Sequence, residues 1–141
     1  MLRVVADANV LISAALARSP NAPSVQTLDA ALDGRLELVT SPLLLCELAS
    51  VLGRPRLRKY LTADQAHRFL ADLAGQSTLL TDPPPPYPAV CHDPDDDYLV
   101  ALATAHRANA LVTGDEHLLA IDPDSLEIEI LTPRQLVDRL D

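Results

Sequence analysis

The chain predicts an α/β fold, a three-layer α/β/α sandwich around a mainly parallel central sheet, and three observations carry that expectation. Short apolar runs of strand length alternate with longer segments of helical pattern from one end of the sequence to the other. Ser, Thr and Pro stand at the starts of the helical segments, and Gly and Pro stand at their ends. Hydrophobic residues make up 48% of 141 positions, enough to fill one core with helices on both sides of a sheet. Residues 1–141 are therefore read as one domain.

The elements follow in order. Leu2 to Ala6 is a short apolar run that stops at Asp7, and Asn9 to Ala17 continues as an apolar stretch suited to a buried helix. Pro20 and Pro23 break the chain before a second helical pattern, Ser24 to Leu32, which stops at Asp33-Gly34; Leu36 to Val39 is the next strand. Ser41-Pro42 opens a helix, since Ser caps well and Pro suits the first helical position, and Leu43 to Leu52 runs until Gly53 and Pro55. Thr62-Ala63-Asp64-Gln65 has the spacing of a capping box for a helix running to Gly75. A strand is expected at Thr78 to Leu80. The prolines from Pro83 to Pro88 make a stiff, extended surface connection. Asp95 to Arg107 is a helix, and Ala110 to Thr113 and Glu127 to Leu131 are strands. Thr132-Pro133-Arg134-Gln135 is a second capping box, opening a terminal helix to Leu140.

Composition excludes several classes. Twenty acidic against eleven basic residues give a formal charge of −9, so the molecule as a whole does not attract polyanions and must hold any such substrate locally. Five of the eleven basic residues, Arg54, Arg56, Arg58, Lys59 and Arg68, fall within fifteen positions, either as a phosphate-contacting patch or as a solvated loop. Aromatic residues are 3% with no Trp, so base-stacking platforms are scarce. Cys46 and Cys91 have no CxxC or Cys/His spacing and are expected as buried free thiols. His67, His92, His106 and His117 show no paired metal spacing. The N-terminal stretch imitates a secretory signal, but Asp7 in its middle is costly in lipid, so a cytoplasmic protein without a membrane segment is expected.

Four acidic positions stand at element boundaries or on a helix facing one edge of the sheet: Asp7, Glu47, the Asp93-Pro94-Asp95-Asp96-Asp97 group, and Asp115. In open α/β sheets ligands collect at the carboxyl ends of the strands, and Asp7 and Asp115 lie just past two predicted strand ends. Hard cations such as Mg²⁺ and Mn²⁺ want oxygen ligands of this kind, usually one or two carboxylates with water between the cation and the others. Each position also has a plainer reading. Asp7 can N-cap the helix after it, Glu47 can sit on a solvated helix face, the Asp93 to Asp97 group suits a helix N-terminus, and Asp115 suits a turn.

Taken together, Val5-Ala6-Asp7-Ala8-Asn9-Val10-Leu11, the acid at Glu47, Asp97-Tyr98-Leu99-Val100-Ala101 and Val112-Thr113-Gly114-Asp115 resemble the motifs of the PIN-domain family, with Asp97 and Asp115 eighteen positions apart. The resemblance spans nearly the whole chain and extends to the VapC-like toxin components of toxin–antitoxin pairs. It implies a PIN-like fold and a phosphodiesterase dependent on Mg²⁺ or Mn²⁺ and acting on RNA. It further implies catalytic roles for Asp7, Glu47, Asp97 and Asp115, with Asp7, Asp97 and Asp115 binding or orienting metal. Asp96, beside Asp97, is an alternative or additional ligand. Asn9 and Thr113 would fix the loops and waters around the metal. Substrate contacts would come from Arg54, Arg56, Arg58 and Lys59. The expected partners are RNA and a protein antitoxin, with a homodimer compatible and no membrane.

Rival chemistries fit poorly. A haloacid-dehalogenase-like phosphatase needs a second Asp two residues after the first, where Asn9 stands. It also needs a later Lys, as does a response-regulator receiver, and Lys59 is the only Lys. No GxxxxGK[ST] loop is present among the four Gly. A catalytically silent PIN-like module for RNA or partner binding is the remaining alternative, and four mutually repelling acids argue against it.

Overall fold

The computed structural model describes residues 1–90 and 93–141. Five strands form one sheet in the order β3-β2-β1-β4-β5: β1 (Leu2–Ala6), β2 (Leu36–Thr40), β3 (Thr78–Leu79), β4 (Ala110–Val112) and β5 (Glu129–Leu131). Every neighbouring pair runs parallel, so each connection crosses over through helix. The helices among the described residues are α1 (Ala8–Leu16), α2 (Pro23–Leu32), α3 (Pro42–Leu52), α4 (Ala63–Gln76), α5 (Pro94–Ala105), α6 (Glu116–Leu119) and α7 (Pro133–Leu140).

The alternation of side chains along β1 sorts the layers. Val4 and Ala6 face one side with Val10, Leu11, Leu48, Leu73 and Leu136, which brings α1, α2, α3, α4 and α7 to that side. Val5 faces the other with Val39, Leu111, Leu99, Leu102 and Leu118, where α5 and α6 pack. The sandwich is thus three-layered, with β1 at its centre and buried on both faces. None of the helices among the described residues is long and apolar enough to cross a membrane.

Local chemistry explains the helix starts. Ser41 accepts from the Leu44 amide ahead of Pro42. Thr62 with Gln65 and Thr132 with Gln135 close both capping boxes in full. Several boundaries differ from expectation. α4 passes through Gly75 to Gln76, because the helix is held by packing of Leu73 and one Gly is tolerated in its last turn. β5 starts at Glu129 rather than 127, where pairing with Ala110 begins. α6 and the 3₁₀ turns at Pro55–Leu57 and Pro123–Ser125 are too short to show a periodic pattern.

α3 corrects the reading of Cys46. The helix buries Leu44, Leu48 and Leu52 at four-residue spacing, which turns Cys46 and Glu47 to the exposed side. Cys91 and His92 lie outside the described residues.

Candidate functional site

β1 and β4 are adjacent parallel strands, and each runs straight into a helix at the carboxyl edge of the sheet. Asp7 is the residue between β1 and α1, and its amide extends the ladder to the Val112 carbonyl at 2.9 Å. Its Oδ1 accepts from the Asn9 amide at 3.2 Å, so the helix-capping reading of Asp7 is correct as far as it goes. The other carboxylate oxygen, Oδ2, accepts from the Thr113 hydroxyl at 2.9 Å. That hydroxyl in turn accepts from the Asp115 amide at 3.0 Å, and Asp115 caps α6 by accepting from the His117 amide at 2.7 Å. One buried Thr thereby links two acids on two strand ends.

The electrostatics of this pair are unusual. Asp7 is only 6% exposed, whereas Asp115 is half-buried. Burial pushes the Asp7 carboxyl above the ordinary carboxylate range, and the nearby Asp115 adds to the push. The Asn9 amide and Thr113 hydroxyl pull it back only in part. Among the described residues Asp7 has no cationic partner: the ion pairs join Arg3 to Glu37 and Arg139 to Glu129. A buried carboxylate held by neutral donors beside a second acid is an environment that a divalent cation would relieve, since such ions take one or two carboxylates directly and complete their shell with water.

The remaining acids are placed differently. Asp96 and Asp97 are both buried at the start of α5, so burial does not choose between them. Asp97 Oδ1 accepts from the Val90 amide at 2.9 Å, which ties the proline-rich segment to α5. Glu47 is exposed on α3, a helix that packs against α1. Among the described residues, no three Asp, Glu, His or Cys side chains gather closely enough to hold a metal ion by themselves. Thr113 brings Asp7 and Asp115 together through direct hydrogen bonds, whereas Asp97 stands on α5 and Glu47 on α3. Asn9 is exposed at the start of α1 and lines a small cleft of about 190 Å³ with Ser13 and Gly114.

The basic loop after α3 divides. Arg54, Arg56 and Lys59 are exposed, with the Lys59 ammonium 5.6 Å from the Tyr60 ring centre. Arg58 is turned inward: its guanidinium donates to the Leu61 carbonyl at 2.8 Å and to the Leu52 carbonyl. The last carbonyls of α3 lack intrahelical partners, and Arg58 supplies one.

A polar cluster with no signature in the sequence lies at the N-terminus of α3. Asp82 Oδ2 accepts from the Leu43 amide at 3.1 Å, and its Oδ1 accepts from the Tyr98 hydroxyl. The Tyr98 oxygen is 2.6 Å from Ser41 Oγ. Tyr98 has one proton and gives it to Asp82, so Ser41 donates to Tyr98 while accepting from Leu44. Burial raises Asp82, but the hydrogen bonds from Tyr98 and the Leu43 amide, with the Ser41 hydroxyl and His106 nearby, outweigh it and hold the carboxyl below its ordinary range.

Comparison with known proteins gives a family match. The family model described as PIN domain matches residues 3–117. An uncharacterized protein of Methanocaldococcus jannaschii is 25% identical over 147 aligned positions, covering 99% of this chain and 92% of that one. Among solved structures, PAE2754 from Pyrobaculum aerophilum superposes with a TM-score of 0.64 at 21% identity, covering 99% of this chain and 89% of that one. VapBC2 from Rickettsia felis, bound to a DNA fragment from its promoter, superposes with a TM-score of 0.57 at 15% identity, covering 92% of this chain and 97% of that one.

Proposed function

Because the chain belongs to the PIN-domain family, we propose that it is a divalent-metal-dependent endoribonuclease and the toxin component of a toxin–antitoxin pair. The observation that carries the reading is the buried Asp7 carboxylate, joined through Thr113 to Asp115 at the carboxyl edge of the sheet and left without a cationic partner among the described residues. Asp7, Asp97 and Asp115 would bind or orient Mg²⁺ or Mn²⁺, with Glu47 completing the acidic site. Such an ion, when bound, lowers the pKa of a coordinated water and neutralises charge on a phosphodiester.

The protein's own residues set the geometry. Thr113 fixes the Asp7 carboxylate with Oδ2 engaged, and the Asn9 amide fixes Oδ1, so the group cannot rotate freely between rotamers. Asp115 is held by the His117 amide in the same way. Exposed Arg54, Arg56 and Lys59 supply the local positive charge that a chain of net charge −9 needs to hold an RNA backbone. Arg58 keeps that loop folded by binding carbonyls, so substrate contact is assigned to its neighbours. A protein antitoxin in a reducing cytoplasm is the expected partner, supported by the likeness to VapBC2.

Purified protein incubated with single-stranded RNA tests the reading. Cleavage that requires added Mn²⁺ or Mg²⁺ and stops with chelator is the expected result. RNA that stays intact at every metal concentration, in a folded protein, would reject the nuclease in favour of a silent binding module.

A further inference from the structure

The segment from Asp82 to Val90 lies against α5 as a strap and is fastened to it at both ends. At its start, Asp82 accepts from the Tyr98 hydroxyl; at its end, the Val90 amide donates to Asp97 at 2.9 Å. Between them the Tyr87 ring lies 5.6 Å from the Tyr98 ring, tilted by 59°, and its hydroxyl donates to the Pro83 carbonyl at 3.2 Å. Adjacent residues on a helix project about 100° apart, so Asp97 and Tyr98 grip the strap from two directions. Tyr98 also reaches Ser41, the N-cap of α3, at 2.6 Å, which registers α5 against the helix that carries Glu47. Proline at positions 83 to 86 and 88 leaves the strap few conformations, so a constraint on one end is transmitted to the other.

We propose that Tyr98 is a positioning residue: through Asp82 and Ser41 it holds the strap and the N-terminus of α3 against α5, and thereby sets where the Asp97 carboxylate points. The inference rests on the nuclease reading for its purpose and on the hydrogen bonds alone for its geometry. A hydroxyl that merely stabilised the fold would change the exchange of every core amide alike. A positioning hydroxyl changes the far end of the strap first.

The test is Tyr98→Phe, which keeps the ring and removes the hydroxyl, read by amide hydrogen exchange and by Mn²⁺ titration. Exchange at Val90 is expected to rise about tenfold relative to amides of the central strands, the equivalent of losing roughly one hydrogen bond. Mn²⁺ affinity should fall severalfold at a protein concentration and temperature where both proteins are fully folded. Asp82→Ala removes the same link from its other side and should reproduce both changes. Unchanged Val90 exchange in either variant would overturn the proposal, as would unchanged Mn²⁺ affinity in both. Should the wild type bind no Mn²⁺, the metal-dependent reading fails, and the Val90 exchange still decides the role of Tyr98.

Discussion

Asp7, buried, and Asp82, half-buried, are both carboxylates that accept a backbone amide from the first turn of a helix, yet the protein treats them in opposite ways. Asp82 receives the Tyr98 hydroxyl and the Leu43 amide and sits near His106; its charge is compensated, and it is held below the ordinary carboxylate range. Asp7 receives one amide and one hydroxyl, lies beside Asp115, and is pushed above that range. The difference separates an acid whose charge the fold compensates from one whose charge it leaves uncompensated, as the proposed metal site requires. A carboxylate that only holds the fold together has its hydrogen bonds matched to its charge, whereas one reserved for a cation keeps a deficit that costs stability until the cation arrives.

The sharpest way to break the comparison is to remove the charge at Asp7. Asp7→Asn should retain the helix cap, since Asn caps about as well as Asp, while metal-dependent RNA cleavage falls by about a hundredfold or more. Near-normal cleavage rates would return Asp7 to a capping role alone. Thr113 comes next, because it serves both acids from a fully buried position. Thr113→Val leaves the Asp115 amide and Asp7 Oδ2 short of a partner and should cost about 1–3 kcal/mol in denaturant unfolding, with Thr113→Ser recovering most of it. If Val is tolerated as well as Ser, the bridge is not holding the site.

Stability as a function of pH sharpens the contrast. The folded pKa of Asp82 is depressed, so its contribution is present above the unfolded value near 3.9 and is lost as pH falls through the folded one. Asp82→Asn should therefore destabilise by about 1 kcal/mol at neutral pH, and by less in acid. The folded pKa of Asp7 is raised, so a penalty for its charge sets in as pH rises from the unfolded value and is complete above the folded one. Asp7→Asn should accordingly stabilise the metal-free protein at neutral pH and have no effect below about pH 4. Melting curves from pH 3 to 7 check both signs, and parallel curves for the two variants would erase the distinction.

Much of the Asp7 region was legible in the sequence because its determinants are local. An apolar run ending in Asp7, an Asn two residues on, and Thr113-Gly114-Asp115 after a second run are all contained in short windows. Both capping boxes and the Ser41-Pro42 start are equally local, and they form as expected. The Asp82 region was not legible. Ser41 and Tyr98 lie 57 positions apart, Leu43 and Asp82 39 apart, and no short pattern announces a contact that exists only once α3 and α5 have packed. Exposure failed to be readable for a related reason. A solvated helix face is one reading open for Glu47, but Cys46 is expected buried, and only the registration of Leu44, Leu48 and Leu52 in the core shows which side faces water. Arg58 looked like its basic neighbours until the carbonyls of Leu52 and Leu61 claimed it.

The smallest expected effect concerns the loop that would hold substrate. Arg54→Ala with Arg56→Ala should leave the melting temperature within about 1 °C and reduce the salt dependence of RNA binding, by roughly 0.7 in log–log slope for each phosphate that the loop no longer neutralises. Identical slopes would leave these residues as solvated charge.

The central claim is that Asp7 bears a charge the fold tolerates only for the sake of a bound cation, and one thermal experiment addresses it. Wild type and Asp7→Asn are melted at pH 7 with chelator and again with Mn²⁺. With chelator the variant should melt higher, because the buried charge beside Asp115 is gone. With Mn²⁺ at a hundredfold excess over its Kd the wild type should gain about 2.7 kcal/mol and overtake a variant that barely responds. A variant that melts lower than wild type in chelator, or that gains as much from Mn²⁺ as the wild type does, would contradict the account.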